Sequence, residues 1–499
     1  MAYYELYVDS PPVRENAFRT MPPEEAPLPT YGEAKELLPA PHWYGHDAAI
    51  RCHDKAWELA FGNLRRPTPQ NGFVARYIDT AFNDNLFMWD SGFIALFARY
   101  GARAFDFQRT LDNLYAKQHP DGFICREIRE SDGSDTHMRF DPSATGPNVL
   151  PWVEWEYFQV FGDMDRLGRV FPVLLALHDW MRRYRSWPDG SYWATGWGCG
   201  MDNQPRPPEG CDVRWHHGFM SWADTCMQQI LSARELVRMA EVLGRQRDAM
   251  HLVEEIDRLS VFVNDELYDP KTAFYYDRLR DGSRSGVKSI GAYWALLAGV
   301  VPQDRLDAFL AHLDDEREFK RPHRVPTLSH DHPAYRADGG YWLGSVWAPT
   351  NYMLLRGLVS VGRDALAHEI ARNHVDNVTA VFDKTGTVWE NYAPETTAPG
   401  NPSKADFVGW TGLAPIAVLY EHVLGVRADV PRSRIVWDIR LLERHGVARL
   451  PFGRRHTVDL VCGARSDARA RPDVRAKSSV PLELELRWAG GRETVTVSA

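Results

Sequence analysis

Between about residues 48 and 424, apolar residues recur three and four positions apart, in segments broken by Gly, Pro and Asp loops. The spacing predicts helices over 48–62, 89–101, 105–117, 148–161, 163–185, 219–243, 246–268, 289–299, 302–313, 345–361, 363–381 and 409–423. These helices come in pairs. Short links such as YGAR, FGDM, LGRQ, GVVPQ and SVGR join the two members of a pair, and longer loops rich in Trp, Asp and Gly lead to the next pair. The first member is apolar nearly all round (SGFIALFARYG, SIGAYWALLAGVV); the second is charged on one side (RDAMHLVEEIDRLSVFV, RDALAHEIARNHV). A helix that is apolar all round is buried, and a one-sided helix lies outside. An inner ring of helices within an outer ring satisfies both patterns. The expected fold is therefore mainly α, an (α/α)6 toroid of six helical hairpins with the long loops gathered at one mouth. An open α-solenoid is the alternative, but no fixed-period repeat supports it.

The flanks read differently. Residues 1–45 are Pro-rich and irregular (MPPEEAPLPTYG, LPAPHWYG), a segment that wraps the surface or lends a strand elsewhere. After 425, the stretches RIVWDIRLLE, HTVDLVCGAR, SSVPLELELRWAGG and RETVTVSA alternate apolar and polar residues with the period of strands. The chain thus divides into an N-terminal extension over 1–45, a helical body over 46–424 and a β-rich accessory domain over 425–499.

Composition narrows the function. A formal net charge of -9, with no Lys/Arg block, argues against nucleic acid as a partner. The six Cys are scattered without a C-x-x-C pair, which argues against a disulfide framework or a zinc site and fits a reducing cytoplasm. His46 and His53 do not have metal-ligand company, and no cofactor is expected. The N-terminus lacks a basic stretch followed by an apolar run, and no apolar run reaches about 18 residues, so neither a secretory leader nor a membrane partner is expected. The 18 Trp and 20 Tyr point to a very aromatic core or an aromatic-lined cleft.

Chemistry concentrates in the loops between pairs. GWGCGMDNQPRPPEG, over 196–210, surrounds Asp202 with glycines and prolines that forbid a helix or central strand. Asp202 reads as an Asx-turn acid or as a carboxylate deliberately presented. NDNLFMWDSGF places Phe87, Trp89 and Asp90 before an apolar helix, where Asp90 is an N-cap or part of a sugar-stacking wall. In YAKQHPDGFICREI, turn chemistry accounts for Pro120, Asp121 and Gly122 but not for Gln118. GTVWENYAPETT sets Glu390 between Trp389 and Tyr392, and DGGYWLGSVWAPTNY adds Tyr341, Trp342 and Trp347. Two carboxyls on opposite loops of an aromatic mouth suit glycoside hydrolysis: one donates a proton to the leaving oxygen while the other activates water or attacks the sugar. Trp197 beside Asp202 would raise the acid by desolvation. Trp and Tyr faces cover the C–H face of a pyranose, while Gln118, Asn203 and Asp90 take hydroxyls. No nucleophile elbow, P-loop or dinucleotide fingerprint competes with this reading. The expected partner is a small carbohydrate substrate, with assembly as a homo-oligomer allowed.

Taken together and in order, FMWDSGF, QHPDGFICREI, GMDNQPR, GGYWLGSVWAPTNY, ENY and FVGWTG resemble the glycoside hydrolase clan of the family 37 trehalases and the family 63 α-glucosidases. Within it, the chain is most similar to small bacterial family 63 enzymes that hydrolyse mannosylglycerate and glucosylglycerate. The resemblance implies an inverting exo-acting α-glycosidase acting on a small α-glucoside or α-mannoside, with Asp202 as general acid and Glu390 as general base. It implies that Trp89, Asp90, Gln118, Tyr341, Trp342 and Trp347 line the sugar site, and it leaves Arg206 available for substrate. Two alternatives stand beside it. One is a rhamnosidase-like or uronyl hydrolase or lyase on the same toroid, for which His119 and Tyr392 would matter more. The other is a sugar-binding protein without turnover.

Overall fold

The computed structural model describes residues 9–499. Helix dominates as far as residue 423, and strand dominates after it. Each expected helical stretch carries helix: Asp47–Gly62, Met88–Ala98, Thr110–Ala116, Leu150–Phe161, Met164–Tyr184, Ala223–Leu243, Met250–Phe262, Trp294–Leu297, Gln303–Ala311, Ala348–Ser360, Asp364–Thr385 and the π-helical Ala414–Val423. Differences lie at the ends, where tight 3-10 turns such as Phe107–Arg109, Ile290–Tyr293 and His312–Asp314 replace α-helix.

The first-of-pair helices touch in sequence. Met88–Ala98 packs on Leu150–Phe161, which packs on Ala223–Leu243, then Trp294–Leu297, Ala348–Ser360 and Ala414–Val423, which returns to Met88–Ala98. All residues of Met88–Ala98 and of Ala414–Val423 are buried, as their all-round apolar pattern requires. The second-of-pair helices lie outside. Asp364–Thr385 buries a stripe through Ala367, Ile370, His374, Val378 and Val381 against Ala348–Ser360 and Ala414–Val423. Asp47–Gly62 packs on Asp364–Thr385 and Ala414–Val423. Contact between neighbours is close: a Cβ on Gly412 would stand 2.4 Å from the Phe97 ring.

Two four-stranded sheets follow the helices. In the first, Ala40–Trp43, His445–Pro451, Thr457–Cys462 and Val474–Ser478 run antiparallel in that order. The N-terminal segment therefore does lend a strand, with Ala40 opposite Ala448. In the second, Leu482–Trp488 lies parallel to Arg434–Asp438 and antiparallel to Gly491–Val497, with Val426–Asp429 at the edge. Among the described residues, no helix is long and apolar enough to cross a membrane.

Candidate active site

The long loops meet over one pocket, lined by Phe82, Phe87, Trp89, Asp90, Arg126, Gly146, Pro147, Trp197, Gly200, Asp202, Tyr341, Trp342 and Trp410. The mixture of rings with a few polar groups suits a small polar ligand.

The loop of Asp202 is held by the residues around it. The short helix Gly196–Cys199 starts at Thr195, whose Oγ1 accepts from the Gly198 N–H at 3.0 Å, and ends at Gly200 with φ +77°. A Cβ at Gly200 would meet the Trp89 indole at 3.0 Å, so glycine serves both the turn and the close approach. Beyond Asp202 each polar side chain ties to a different segment. Asn203 Nδ2 donates to Gly340 O at 2.9 Å, and Trp342 N–H donates to Asn203 Oδ1 at 2.9 Å. Gln204 Nε2 donates to Thr327 O, and Gln204 Oε1 accepts from Ser289 Oγ, both at 2.8 Å. Arg206 donates to Asp224 and Asp277 at 2.6–2.8 Å and lies 4.4 Å from the Trp222 ring centroid. Three anchors thus fix the loop that presents one carboxylate to the pocket.

Glu390 follows Asp364–Thr385, which stops at the left-handed Gly386. Its backbone pairs with Lys404 through Glu390 N–H to Lys404 O at 2.9 Å. Trp410 Nε1 donates to Glu390 O at 3.1 Å. On the side chain, Tyr341 Oη donates to Oε1 at 3.1 Å and Lys404 N–H donates to Oε2 at 3.2 Å. Tyr341 adopts φ +67°, a conformation rare for a residue with a side chain and costing about 1–3 kcal/mol. Trp342 stacks face to face on Trp347, with centroids 3.9 Å apart and planes 2° from parallel.

Three carboxyls act on one another here. Burial pushes Asp202 up to about 6, against the pull of the Arg126 guanidinium. Burial pushes Glu390 up to about 7, against the donors from Tyr341 and Lys404, and the Asp202 charge adds to the rise. Asp90 is held well above the usual carboxylate range by burial and by the charges of Glu390 and Asp202. Groups poised near neutrality by desolvation and a like-charge neighbour are suited to proton transfer.

Of the residues expected at the site, Phe87, Trp89, Asp90, Trp197, Asp202, Tyr341 and Trp342 line the pocket, and Glu390 joins them through Tyr341. Asp90 is not an N-cap: the cap is Phe87, and Asp90 sits in the first turn of Met88–Ala98. Five residues need correction. The Gln118 amide is consumed by Asn16, Gly122 O and Val173 O at 2.9–3.0 Å, away from the mouth. Arg206 is buried between two carboxylates and is not available to substrate. Trp347 is fully buried as a second layer behind Trp342. Tyr392 is buried, with its oxygen accepting from Trp389 N–H at 3.2 Å. Asn203 spends both ends of its amide on the Gly340–Trp342 loop. His119, the residue a lyase would call on, pairs with Asp135 at 2.7 Å.

The sequence reading missed Arg126, Trp410, Phe82, Gly146, Pro147 and Gly200 as wall residues. Arg126 and Trp410 stood inside the quoted loops; nothing in those loops marked them apart from their neighbours. Arg126 lies 5.4 Å from the Trp197 ring and donates to Ser143 O at 2.7 Å.

Carboxyls raised toward neutrality in and behind the wall of an aromatic pocket are the equipment of a glycoside hydrolase. The family described as mannosylglycerate hydrolase MGH1-like glycoside hydrolase domain matches residues 83–411, and the chain belongs to it, within glycoside hydrolase family 63. Mannosylglycerate hydrolase of Thermus thermophilus is 25% identical over 357 residues, which is 56% of this chain and 83% of that protein. A probable mannosyl-oligosaccharide glucosidase of Schizosaccharomyces pombe is 27% identical over 281 residues, with 50% of this chain covering 34% of that protein. In structure, a family 63 mannosylglycerate hydrolase of Thermus thermophilus in complex with glucose superposes with a TM-score of 0.59 at 23% identity, over 73% of this chain and 99% of that one. A family 78 rhamnosidase of Bacillus gives a TM-score of 0.61 at 17% identity, over 90% of this chain and 42% of that one.

Proposed function

We propose that this glycoside hydrolase is an inverting, exo-acting α-glycosidase that cleaves a small α-glucoside or α-mannoside, such as glucosylglycerate or mannosylglycerate. The observation that carries the reading is the mutual setting of Asp202 and Glu390: Asp202 lines the aromatic pocket, Glu390 is held behind its wall residue Tyr341, and burial raises them to about 6 and about 7. The closed circuit of helix contacts supports an (α/α)6 toroid with the pocket at its mouth.

Asp202 donates its proton to the glycosidic oxygen as the bond to the anomeric carbon breaks. Glu390 takes a proton from the water that attacks the opposite face. Inversion requires room for that water, which corresponds to carboxyls about 6.5–9.5 Å apart. Burial raises both carboxyls toward neutrality, so the pair can share the single proton the reaction needs. Glu390 keeps two donors that favour its ionised form, from Tyr341 and Lys404. The Trp89 indole N–H is buried without a partner among the described residues, which supports a ligand hydroxyl as its acceptor. Arg126 is the cation in the wall and supplies the attraction for an anionic aglycone. Six unbonded thiols support a reducing, cytoplasmic setting.

The test is hydrolysis of a panel of α-glucosides and α-mannosides, with and without a carboxylate in the aglycone, by the parent, Asp202→Asn and Glu390→Gln. Turnover of one class, lost in both variants, is expected. Full activity in either variant contradicts the assignment.

A further inference from the structure

The segment from Asp79 to Asp84 forms part of the mouth, and no role was assigned to it from sequence. Phe82 lines the pocket yet is 43% exposed, and its ring meets Phe87 edge-on at 6.1 Å. Ala81 sits at φ +62°, where a Cβ is unfavourable, so contacts at the tip must hold the segment in place. The base of the segment is anchored by Asp79 N–H to Asn63 O at 2.9 Å and by Glu130 N–H to Asp84 O at 3.1 Å. The tip is gripped from across the mouth. Lys404 Nζ donates to Phe82 O at 2.8 Å and also to Ala81 O, and it lies 5.7 Å from the Phe82 ring centroid.

The same residue holds Glu390. The Lys404 backbone meets it twice: Glu390 N–H donates to Lys404 O at 2.9 Å, and Lys404 N–H donates to the Glu390 carboxylate at 3.2 Å. One residue therefore has its backbone on the carboxylate and its side chain on the pocket wall. We propose that Lys404 is a positioning residue that couples the Phe82 wall of the pocket to Glu390. When Phe82 is seated over a sugar, the strand-like pairing of Lys404 with Glu390 is held in register. When the wall moves out, Lys404 is drawn with it. This rests on reading Glu390 as the general base, and the tests below separate the two claims.

The groups facing Glu390 are Asp90, Asp202, Tyr341 and Lys404. Among these the Lys404 ammonium favours the ionised carboxylate. Its removal raises Glu390, so the form with Asp202 protonated and Glu390 ionised becomes rarer. The loss of kcat/KM is therefore largest at acid pH and shrinks as pH rises past both groups.

The experiment compares the full-length parent with Lys404→Met, Lys404→Arg, Phe82→Ala and the double variant Lys404→Met/Phe82→Ala. Hydrogen exchange of the 79–84 amides is measured on each, together with thermal unfolding and kinetics on the substrate found by the panel. Lys404→Met should speed exchange of those amides, raise KM by about tenfold for a lost charge-assisted tether and leave the melting temperature unchanged. Lys404→Arg should restore KM. Phe82→Ala should raise KM without the acid-weighted loss, and the double variant should be no worse in KM than the worse single variant. Unchanged exchange and KM in Lys404→Met overturn the coupling. So does strict additivity with Phe82→Ala. Activity retained in Glu390→Gln would instead overturn the assignment of the base, and the exchange result would still stand or fall by itself.

Discussion

The Tyr341 phenol donates to the Glu390 carboxylate at 3.1 Å, from a backbone held at φ +67°. A hydroxyl that donates to a carboxylate stabilises its ionised form, so Tyr341 opposes the burial that pushes Glu390 up to about 7. Strain at Tyr341 thus supports a contact that the proposed role of Glu390 as general base requires. Tyr341→Phe removes the donor and keeps the ring. Glu390 then rises, the productive protonation state becomes rarer, and kcat/KM should fall about tenfold near pH 6, equivalent to one lost hydrogen bond to a charged group. The deficit should narrow at higher pH. A uniform loss at all pH values would show that the hydroxyl acts on the substrate instead.

The two acids set the pH response as a pair. On the proposed roles, the active form carries one proton on Asp202 and Glu390 together. Activity should fall on the acid side, where both are protonated, and on the alkaline side, where neither is. A narrow bell in kcat/KM centred between about 6 and about 7 is expected, and its limbs belong to the pair rather than to either residue. A flat profile from pH 5 to pH 8 contradicts this.

Arg206 separates scaffold from site. It is buried on Asp224 and Asp277, so Arg206→Met strands two buried carboxylates and should destabilise the protein by about 3–5 kcal/mol. Thermal unfolding reads this directly. Destabilisation of that size without a matching rise in KM for any folded enzyme is expected; a stable variant with a specific KM defect would restore Arg206 to the substrate.

Arg126 should behave oppositely. Arg126→Gln removes the cation from the pocket wall, and the Asp202 carboxyl then rises because Arg126 no longer favours its ionised form. KM for a substrate with an anionic aglycone should rise by about tenfold to a hundredfold, typical of a charge-assisted contact of ~1.5–3 kcal/mol, while an uncharged α-glucoside is spared. Equal losses on both would assign Arg126 to holding Asp202 alone.

Much of this architecture was legible from hydrophobic pattern. The contrast between SGFIALFARYG and RDALAHEIARNHV separates buried from outer helices, because burial is what the all-round pattern encodes. The strands Val426–Asp429, His445–Pro451 and Val474–Ser478 were not legible. The first is four residues long, the second holds Gly446 and Pro451, and the third, VRAKS, is mostly polar. At the site, Asp202 stood out because it is presented among so many glycines and prolines. Gln118, Arg206 and Tyr392 misled because a polar residue in a loop looks the same whether its partner is a ligand or the protein. Their partners (Val173 O, Asp224 and Trp389 N–H) are supplied by folding and have no local signature in the first two cases.

A direct displacement by water, with Asp202 as the proposed acid and Glu390 as the proposed base, is read from the stereochemistry of the first product. Proton NMR of the enzyme acting on an α-linked substrate reads the anomeric signal before mutarotation scrambles it. The β-anomer should appear first, with neither anomer formed by Asp202→Asn or Glu390→Gln. The α-anomer appearing first would mean retention through a covalent intermediate, and would contradict the account.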